Sequence, residues 1–419
     1  MTDPIRDLNC YIVGGAVRDR LLGRPVMDRD WVVVGTTPEA MQERGFRQVG
    51  ADFPVFLHPE TGEEHALART ERKQGRGYHG FAVHADPDVT LEEDLERRDL
   101  TINAMAMQAD GTIIDPFGGL ADLEARTLRH VGPAFVEDPL RVLRVARFAA
   151  QLADYGFTVA DDTRELMRRM SDSGELADLT PERVWTETAK ALATRHPSRY
   201  FEVLRDVGAL SRVFPEVDAL FGVPQPARYH PEIDTGIHTL LVLEAAARLS
   251  DSVAVRFAAL CHDLGKALTP RAEWPSHIGH EARGVAPTRE LCERLRTPKA
   301  VRELAELATE MHGRVHKACE MRASTLVDLL DRMDAFRRPE RFRDVLTVCH
   351  ADAQGKPGHE ADPYPQREWL ERVREVVAAI SPRPLVEQGC RGAEIGRKLR
   401  EQRIRAVSHL KAERGQAQG

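Results

Sequence analysis

Two patterns of apolar and polar residues divide this sequence. Up to about residue 135, short apolar runs such as CYIVGG, DWVVVG and TIIDPFGG alternate with turn-forming residues, which predicts an α+β unit built on a sheet. From about residue 137 onward, apolar residues recur every three or four positions, as in LRVLRVARFAAQLADYG and PERVWTETAKALATRH. This spacing predicts helices, and Pro181 stands where one of them begins. We therefore expect a mixed head followed by an all-helical region.

Proline-rich segments suggest where the helical region is divided. The segment 221–236, FGVPQPARYHPEIDTG, has three prolines and little periodicity, so it predicts a linker or an ordered surface loop. Helical patterns resume after it to about residue 345, and the joint AQGKPGHEADPYPQ then leads to a basic helix. The expected parts are a head over 1–136, a helical neck over 137–225, a second helical unit over 235–345 and a helical tail over 346–419.

The composition is that of a globular chain, with 419 residues, 42% hydrophobic and 30% charged. A net charge of −7 argues against a uniformly basic nucleic-acid coat but leaves room for local basic clusters. The six cysteines lack CxxC spacing and are expected to be reduced thiols. With neither a signal pattern nor a long apolar window, we expect a cytoplasmic protein without a membrane partner.

The segment YIVGGAVRDRLLG is a candidate phosphate-binding turn. An apolar strand runs into Gly14 and Gly15 and then into a helical pattern that carries Arg18. Backbone N–H groups at such a turn can approach a phosphate closely, and the guanidinium of Arg18 can bind phosphate oxygens. A plain tight turn would have the same glycine pair.

The segment VMDRDWVVVG has two aspartates, Asp28 and Asp30, where a polar stretch becomes a run of valines. Residues two apart in a strand point to the same face, so we expect both carboxylates on one side and Trp31 and Val33 in the core on the other. Carboxylate and phosphate oxygens are the ligands of Mg²⁺, and two-metal phosphoryl transfer needs such a pair. The alternative is a charged strand start in which the aspartates pair with Arg29.

Two arginine-rich segments complete the candidate site. In LEEDLERRDLTINAMAM, Arg98 could bind phosphates and Asp99 could accept a hydrogen bond from a ribose hydroxyl. In EDPLRVLRVARF, Arg141, Arg144 and Arg147 recur every three residues along one side of a helix. This side faces either a nucleotide or the solvent.

The order of GGAVRD, DRD, ERRDLTINA and EDPLRVLRVARF resembles that of the class II tRNA nucleotidyltransferases, the CCA-adding enzymes of the polymerase β superfamily. PERVW, ALFGVP, HPEIDTGIHTL and HDLGK extend the resemblance through nearly the whole chain. It implies a polymerase-β-like head that adds C, C and A to the 3′ end of tRNA from CTP and ATP, without a nucleic-acid template and with release of diphosphate. The implied partners are tRNA, CTP and ATP, and we expect a monomer or weak homo-oligomer.

The resemblance also implies roles for single residues. Asp28 and Asp30 would bind Mg²⁺ as the catalytic carboxylates, while a third carboxylate could be Glu64, Asp94 or Asp99. The implied nucleotide-binding residues are Gly15, Arg18, Arg98, Asp99, Asp138, Arg141, Arg144 and Arg147. Within this set, Asp138 and Arg141 would read the base, because cytosine and adenine both present an amino donor beside a ring-nitrogen acceptor. Uracil and guanine present the reverse pattern and would leave buried polar groups unpaired.

The second helical unit carries a different motif. His262 and Asp263 end an apolar helix, with His238 upstream and Asp352 downstream, which resembles the H…HD…D pattern of the HD phosphohydrolase family. These ligands suit Ni²⁺ or another divalent transition metal, or Mg²⁺, and the ion would activate water for phosphoester hydrolysis. Within the CCA-adding family, an intact HD domain implies 2′,3′-cyclic phosphodiesterase, 2′-nucleotidase and phosphatase activities. The alternative is a purely structural His–Asp hydrogen bond.

Other residues near the HD motif could support it. Lys266 could bind the phosphate of a substrate, and additional histidines fall in SHIGHE and EMHGRVH. These histidines are His277, His280, His312 and His316.

Three other functions are compatible with parts of the pattern. A bacterial poly(A) polymerase shares the head motifs, a CC-adding or A-adding half-enzyme differs outside them, and an HD hydrolase could carry a degenerate regulatory head. The basic tail helix is a candidate contact for the tRNA backbone, or a solvated surface helix. Its basic residues are Arg397, Lys398, Arg400, Arg403 and Arg405.

Overall fold

The computed structural model describes residues 4–26, 28–49, 55–73, 81–84 and 86–417. The chain divides into two compact units. Unit 1 comprises Met1–Ala191 and Arg199–Val213, and unit 2 comprises Leu192–Ser198 and Phe214–Gly419. Unit 1 thus contains the predicted head with most of the predicted neck, while unit 2 contains the second helical unit and the tail. The division of the chain into four parts stays a prediction.

The described strands lie in unit 1 and are short. They are β1 (Asn9–Val13), β2 (Asp30–Val34), β3 (Arg47–Val49), β4 (Val55–Leu57), β5 (Glu64–Leu67), β6 (Thr70–Lys73), β7 (Phe81–His84), β8 (Ala106–Met107), β9 (Ile113–Ile114), β10 (Thr127–Leu128) and β11 (Thr158–Val159). Seven of them form a mixed sheet in the order β3-β4-β5-β2-β1-β8-β9. The β2–β5 pair is parallel and the other neighbours are antiparallel. Two-stranded pairs join β6 to β7 and β10 to β11.

The central strand β2 is buried on both faces. Val32 packs in one apolar cluster with Val13 and Ala106, whereas Val33 packs in another with Phe56. Neighbouring side chains point to opposite faces of a strand, so the valine run supplies both clusters. The strands predicted from CYIVGG and DWVVVG are confirmed.

The prediction for the start of β2 needs a correction. The strand begins at Asp30, so Asp28 lies two residues before it and the two-residue period does not fix its direction. Trp31 is only partly buried, although it was expected in the core. Its ring stacks on His65 at 5.3 Å, and its Nε1 donates a 3.2 Å hydrogen bond to Glu63. The indole therefore covers one side of the sheet while its polar edge reaches a surface carboxylate.

The helices of unit 1 surround this sheet and continue beyond it. They are α1 (Gly15–Leu21), α2 (Pro38–Glu43), α3 (Leu91–Glu96), α4 (Gly119–Glu124), α5 (Leu140–Gln151), α6 (Asp161–Asp172), α7 (Pro181–Leu192), α8 (Ser198–Asp206) and α9 (Leu210–Val213). A capping box formed by Thr90 and Glu93 begins α3. Pro181 begins α7 as predicted. The pattern predicted α5 to continue through LADYG, but a 3₁₀ turn follows Leu152 and ends at Gly156 with a φ of 76°.

Unit 2 is helical throughout its described part. Its helices are α10 (Pro215–Asp218), α11 (Thr235–Leu249), α12 (Val253–Cys261), α13 (His280–Arg294), α14 (Lys299–His316), α15 (Ala323–Arg332), α16 (Pro339–Gln354), α17 (Pro365–Ala378), α18 (Arg383–Glu387) and α19 (Ala393–Ala417). The helices α11, α12, α14 and α16 pack against one another, and α13 packs on α14. No helix in the described part of the chain is long and apolar enough to cross a membrane.

The structure of unit 2 shows how two predicted segments fold: the helical pattern ELCERLRTPKAVRELAELATEMH and the proline-containing segment 221–236. The run from Glu290 to His312 is two helices, because Pro298 caps the start of α14 and separates it from α13. The segment 221–236 is an ordered loop, in which a bridge joins Pro224 to Asp234. Asp234 also caps α11 by accepting a hydrogen bond from the backbone N–H of Ile237 at 2.9 Å.

Candidate functional site

A polar cleft of about 550 Å³ opens in unit 1 beside β1, β2 and β5. Its walls come from the turn before α1, from the end of α3 and from α5 and α7. The residues that line it include Gly15, Arg18, Asp30, Glu64, Arg98, Asp99, Asp138, Arg141, Arg144, Arg147 and Arg183. The fold therefore brings together every predicted nucleotide-binding residue and one of the two predicted catalytic aspartates.

The second aspartate lines an adjoining groove. Asp28, Asp30 and Glu64 all border this groove, which has a volume of about 690 Å³. Asp30 and Glu64 border both spaces, and they lie directly opposite each other in the parallel register of β2 and β5. All three carboxylates are exposed. Carboxylate oxygens of this kind fit a hard divalent cation that also binds phosphate oxygens.

The register distinguishes Glu64 from the other two candidates for a third carboxylate. Asp94 is fully buried, and its oxygens lie 2.6 Å from Arg97 Nη2 and 3.0 Å from Arg98 Nη2. Burial alone would raise the pKa of Asp94, but the two guanidinium groups outweigh it and lower this pKa. Asp94 is thus an ion-pair partner that orients Arg98.

Positive charge converges at the turn that begins α1. Gly14 has a φ of 70°, and a Cβ atom at this position would lie 3.1 Å from Arg98 Nη1, so glycine permits the close approach of this arginine. Arg18 is 3% exposed and donates a 2.6 Å hydrogen bond to Asn103 Oδ1. Guanidinium groups fixed in this way are suited to a polyphosphate.

Three arginines of the cleft pack around one aromatic ring, that of Phe148. The guanidinium carbons of Arg147, Arg18 and Arg144 lie 4.0, 5.2 and 5.8 Å from the centre of the Phe148 ring. Cation–π attraction holds them at one wall of the cleft. Phe148 was not predicted as a site residue, because its only signal in the sequence is its place in the apolar pattern of α5.

Asp99 is a buried anchor for Arg144. It is 5% exposed, its Oδ1 accepts a 3.0 Å hydrogen bond from Asn103 Nδ2, and its Oδ2 accepts a 2.7 Å hydrogen bond from Arg144 Nε. Burial would raise the pKa of Asp99, but Arg144 and Asn103 outweigh burial and hold it well below its usual range. The hydrogen bond from a ribose hydroxyl to Asp99 stays a prediction. In that bond the hydroxyl would donate to a carboxylate oxygen that already accepts from Asn103 or Arg144.

The predicted base-reading residues are held by neighbours. Asp138 Oδ2 accepts a 2.7 Å hydrogen bond from Arg183 Nη2. Arg141 donates from Nη1 to the carbonyl oxygen of Ala134 at 2.6 Å and from Nη2 to that of Arg97 at 2.5 Å. Both groups are therefore positioned by contacts within unit 1.

Sequence reasoning missed two residues of α7 that support this wall. Arg183 lines the cleft, and the buried Glu187 accepts a 2.5 Å hydrogen bond from Arg147 Nε. They are four residues apart and so lie on one side of the helix. This spacing in PERVWTE was the signal that could have identified them.

A second cluster lies in unit 2, where α11, α12 and α16 pack together. His238 belongs to α11, His262 and Asp263 directly follow α12, and Asp352 belongs to α16. His238 Nε2 lies 3.1 Å from Asp352 Oδ1, and His262 Nε2 lies 3.2 Å from Asp263 Oδ2. All four side chains are buried. The tertiary structure thus brings the four predicted ligands together.

The electrostatics of this cluster fit a bound cation. His262 Nε2 and Asp263 Oδ1 are buried, and neither has a hydrogen-bond partner among the described residues. Burial would raise the pKa of Asp352, but His316 and His238 outweigh it and keep this pKa well below its usual range. Ionised carboxylates beside imidazole nitrogens that lack a partner are the donor set of a divalent transition metal.

Additional side chains surround the four ligands. Lys266 Nζ lies 2.6 Å from Asp263 Oδ2 and donates a 2.7 Å hydrogen bond to Gln225, so its ammonium already has anionic and polar partners. His316 Nε2 lies 2.7 Å from Asp352 Oδ2. His277 instead bonds to the carbonyl oxygen of Pro224 through Nε2. Of the additional histidines noted in the sequence, His277 alone does not reach an acidic ligand.

The loop 221–236 contributes a residue that the sequence did not indicate. Glu232 Oε1 lies 2.9 Å from His238 Nδ1 and 3.1 Å from His230 Nδ1. A carboxylate at Nδ1 fixes the ring so that Nε2 can face a metal ion. The signal for Glu232 was weak, because it lies in a stretch without periodicity.

The basic tail helix packs against its own unit. Arg400 Nη2 lies 2.8 Å from Asp328 Oδ1, and Arg403 Nη1 lies 3.6 Å from Asp331 Oδ1, which joins α19 to α15. Arg397 and Lys398 pair with acidic residues of α19 itself. Exposed ion pairs are weak, so these contacts leave the predicted tRNA contact open as a hypothesis.

Three family models match successive parts of the chain. A model of the poly A polymerase head domain matches residues 10–129. A model described as a probable RNA and SrmB-binding site of polymerase A matches residues 156–221, and a model of the HD domain matches residues 235–338. The matches agree with a nucleotidyltransferase head and with the HD motif in unit 2.

Curated relatives match almost the full length. The Multifunctional CCA protein of Methylococcus capsulatus is 60% identical over 411 residues, which cover 98% of this chain and 97% of the relative. That of Thioalkalivibrio sulfidiphilus is 59% identical, with 97% and 100% covered. The solved CCA-adding enzyme of Bacillus stearothermophilus in complex with CTP shares the fold at a TM-score of 0.65 and 24% identity, over 100% of this chain and 99% of that one. The predicted resemblance is confirmed, and the chain belongs to the family of multifunctional CCA proteins.

Proposed function

We propose that this chain builds and repairs the terminal C, C and A of tRNA from CTP and ATP, using the cleft of unit 1 and releasing diphosphate. The observation that carries the proposal is the arrangement of this cleft, where buried or ion-paired arginines face the exposed carboxylates of Asp30 and Glu64. The arginines can bind a triphosphate. The carboxylates can bind the divalent cation that accompanies it. The curated relatives support the same reaction by name.

The arginine wall binds the nucleotide. Gly15 offers its backbone N–H at the start of α1, while Arg18, Arg98, Arg144 and Arg147 bind the phosphates and ribose. Each of these four guanidinium groups has a fixed partner, so the arginines are positioned before the nucleotide binds. The partners, in the same order, are Asn103, Asp94, Asp99 and Glu187.

Asp28 and Asp30 hold Mg²⁺, and Glu64 is the third carboxylate. Mg²⁺ held by these carboxylates would supply Lewis-acid activation of the attacking 3′-hydroxyl and would neutralise charge on the triphosphate. The three side chains border one groove and are exposed, so their oxygens are accessible to an ion that arrives with the nucleotide.

Asp138 and Arg141 select the base. A carboxylate accepts from the amino group that cytosine and adenine share, and a guanidinium donates to the adjacent ring nitrogen. Arg183 holds Asp138, and two carbonyl oxygens hold Arg141, so the pair keeps one geometry for both nucleotides. Uracil and guanine would face like groups and bind more weakly.

The cluster of unit 2 provides a separate hydrolytic site. His238, His262, Asp263 and Asp352 hold Ni²⁺ or another divalent transition metal, or Mg²⁺. When bound, the ion supplies an activated water for phosphoester hydrolysis. The expected reactions are 2′,3′-cyclic phosphodiesterase, 2′-nucleotidase and phosphatase reactions on RNA ends. Glu232 keeps His238 in the orientation that this site needs.

The proposed reactions use tRNA, CTP and ATP as substrates. We also propose that the chain acts in the cytoplasm, as a monomer or weak homo-oligomer. The exposed Arg405 of α19 is one of the basic tail residues that would contact the tRNA backbone.

The test is the length of the product made on tRNA that lacks its CCA end. With CTP alone we expect two added nucleotides, with both nucleotides three, and with ATP alone none. A long run of A would indicate a poly(A) polymerase, a product that stays at two nucleotides with both substrates would indicate a half-enzyme, and no incorporation would indicate a degenerate head.

Variants separate the two sites. Asp28→Ala and Asp30→Ala should each abolish nucleotide addition and leave hydrolysis of a 2′,3′-cyclic nucleotide unchanged. Asp352→Ala should abolish metal-dependent hydrolysis and leave CCA addition intact. Unchanged hydrolysis in Asp352→Ala would remove this residue from the HD site.

A further inference from the structure

Two neighbouring segments of unit 2 expose large apolar side chains. The first is the loop 221–236 with the first turn of α11, and the second is the stretch 264–278 before α13. Hydrogen bonds of 2.7 Å join them, from His277 Nε2 to the carbonyl oxygen of Pro224 and from Lys266 Nζ to Gln225 Oε1. We call the exposed residues the apolar rim, and they are Tyr229, Ile233, Ile237, Leu268 and Ile278.

The first segment of the rim lies beside the HD site. Ile237 directly precedes the proposed ligand His238 on α11. Tyr229 directly precedes His230, whose ring lies 4.6 Å from that of His238. His238 is buried, but the side chain of His230 is 14% exposed. His230 therefore connects the buried ligand with the surface on which Tyr229 lies.

The second segment reaches the same site from another helix. Ile278 is 75% exposed and lies two residues before His280, which begins α13. The Nε2 atom of His280 lies 3.2 Å from Asp263 Oδ1, and its side chain is 16% exposed. The rim thus borders the HD site on both segments.

The backbone conformation of Ile233 is unfavourable for its residue type. Its φ is 61°, in the left-handed region, where a β-branched side chain is crowded. Its N–H donates to the carbonyl oxygen of His230 at 2.9 Å, and its own carbonyl oxygen accepts from the N–H of Gln225 at 2.8 Å. The loop therefore holds an apolar side chain in the solvent at a cost in free energy, which is typical of ligand-binding segments.

Two arginines of these segments lie against aromatic rings. The guanidinium carbon of Arg228 is 4.4 Å from the centre of the Tyr229 ring, and that of Arg271 is 5.7 Å from the centre of the Trp274 ring. Both arginines are exposed, and neither has an acidic partner among the residues that the structure describes. Their positive charge is therefore available to an anionic partner.

These features match single-stranded RNA. Nucleobases stack on aromatic rings and on guanidinium planes, and exposed arginines bind phosphodiester groups. A protein partner could also cover an apolar surface, but its position need not be related to the HD site. The end of an RNA must cross the surface beside this site to reach it.

We propose that the apolar rim, together with Arg228 and Arg271, binds the last unpaired nucleotides of an RNA whose terminal phosphate is hydrolysed at the HD site. Nucleobases stack on Tyr229 and contact the isoleucines, while the two arginines bind the phosphodiester backbone. The inference rests on the HD site proposed above and deepens it, because it assigns the part of the substrate that lies outside the metal ligands.

The experiment compares a substrate that reaches the rim with one that is too small to do so. Full-length protein with Ni²⁺ supplied is assayed on a single-stranded pentanucleotide that ends in a 2′,3′-cyclic phosphate, and on bis(p-nitrophenyl) phosphate. The readout is the ratio of kcat/KM for the pentanucleotide to that for the small ester. General damage to the HD site lowers both values and leaves this ratio unchanged.

Tyr229→Ala should lower the ratio by about 10-fold, because one nucleobase loses its stacking surface. The loss should come from KM for the pentanucleotide, and Tyr229→Phe, which keeps the ring, should restore it. Arg228→Ala and Arg271→Ala should each raise this KM, by less at high salt. Tyr155→Ala is the matched control, because this exposed tyrosine of unit 1 also has an arginine, Arg24, 5.6 Å from its ring centre.

A second measurement does not depend on hydrolysis. The same pentanucleotide, with 4-thiouridine beside its terminal nucleotide, is irradiated with chelator-treated protein, and the crosslinked peptides are identified by mass spectrometry. We expect crosslinks within residues 221–237 or 264–278.

The outcomes separate this inference from the proposed HD hydrolysis. Crosslinks in these segments without hydrolysis of either substrate would support the RNA surface and overturn the hydrolytic function. Hydrolysis of both substrates, with the same ratio in Tyr229→Ala as in Tyr155→Ala, would overturn the RNA surface and leave the HD site in place. Crosslinks confined to other parts of the chain would also overturn it.

Discussion

Arg183 donates a 2.7 Å hydrogen bond from Nη2 to Asp138 Oδ2, although the two residues are 45 positions apart. Arg183 belongs to α7 and Asp138 directly precedes Pro139 at the start of α5. The other oxygen of Asp138 accepts a 3.1 Å hydrogen bond from the backbone N–H of Leu140. The proposed base-reading carboxylate is thus held from two directions.

Arg183→Ala should weaken the choice of base. Loss of the charge-assisted hydrogen bond, worth roughly 1.5–3 kcal/mol, leaves the Asp138 carboxylate held by the backbone N–H of Leu140 but no longer by Arg183. We expect the ratio of kcat/KM for CTP to that for UTP to fall by about 10-fold or more. Arg212→Ala, an exposed arginine of α9, is the matched control. A ratio equal to that of the unmodified enzyme would show that Arg183 does not position Asp138.

Glu64→Gln should raise the requirement for Mg²⁺ in nucleotide addition. The change keeps the size of the side chain but removes one negative charge opposite Asp30. We expect roughly 10-fold more Mg²⁺ at half-maximal rate, with an unchanged KM for tRNA. Glu60→Gln, an exposed change in the loop before β5, serves as the control. An unaltered Mg²⁺ dependence would exclude Glu64 as a third carboxylate.

Asp99→Asn should remove a pH-dependent contribution to stability. Burial would raise the pKa of Asp99, but Arg144 and Asn103 lower it in the folded protein. Protonation therefore favours the unfolded chain, so the contribution is complete above the unfolded pKa of about 4 and is lost as the pH falls below it. We expect the variant to lose about 3 kcal/mol of unfolding free energy at pH 7.

Urea unfolding at pH 7 and at pH 3 measures this difference. The gap between the unmodified protein and Asp99→Asn should narrow at pH 3. An equal gap at both values would mean that the carboxylate charge of Asp99 does not stabilise the fold.

Glu232→Gln should weaken metal binding in unit 2. Glu232 Oε1 lies 2.9 Å from His238 Nδ1, and an amide cannot hold the ring as strongly as a carboxylate. We expect the affinity for Ni²⁺ to fall by roughly 10–100-fold, measured by calorimetry on chelator-treated protein, while CCA addition is unchanged. The exposed Glu360→Gln is the control. Equal Ni²⁺ affinity in the two variants would contradict this role.

Charge reversal in the tail helix tests the contact with tRNA. Changing Arg397, Lys398 and Arg405 to Glu should raise KM for tRNA several-fold, because fewer phosphates are neutralised, and the effect should shrink at high salt. KM for CTP should not change. Reversal of three exposed arginines outside α19, Arg332, Arg337 and Arg372, makes the same change in net charge and is the control. If the α19 variant and the control variant have the same KM for tRNA, α19 is a surface helix that does not contact tRNA.

The sequence predicted most of the residues that line the two candidate sites. Asp30, Arg18 and the arginines of α5 were found because each motif has a local signature, either a strand start, a glycine turn or a three-residue step. The histidine and aspartate of the HD pair were found for the same reason. Asp28 was expected on the same strand as Asp30, but it precedes β2. Helix and strand ends depend on neighbouring elements as well as on local pattern.

The sequence by itself determined the mixed head, the helical remainder and the residues that can bind phosphate or metal, because these depend on short-range periodicity and side-chain chemistry. Only the tertiary structure placed Glu64 opposite Asp30, Arg183 against Asp138, and His280 with His312 beside Asp263. Each of these contacts joins elements that are distant along the chain. Strand register and helix packing decide such contacts, and both result from burial of the whole core.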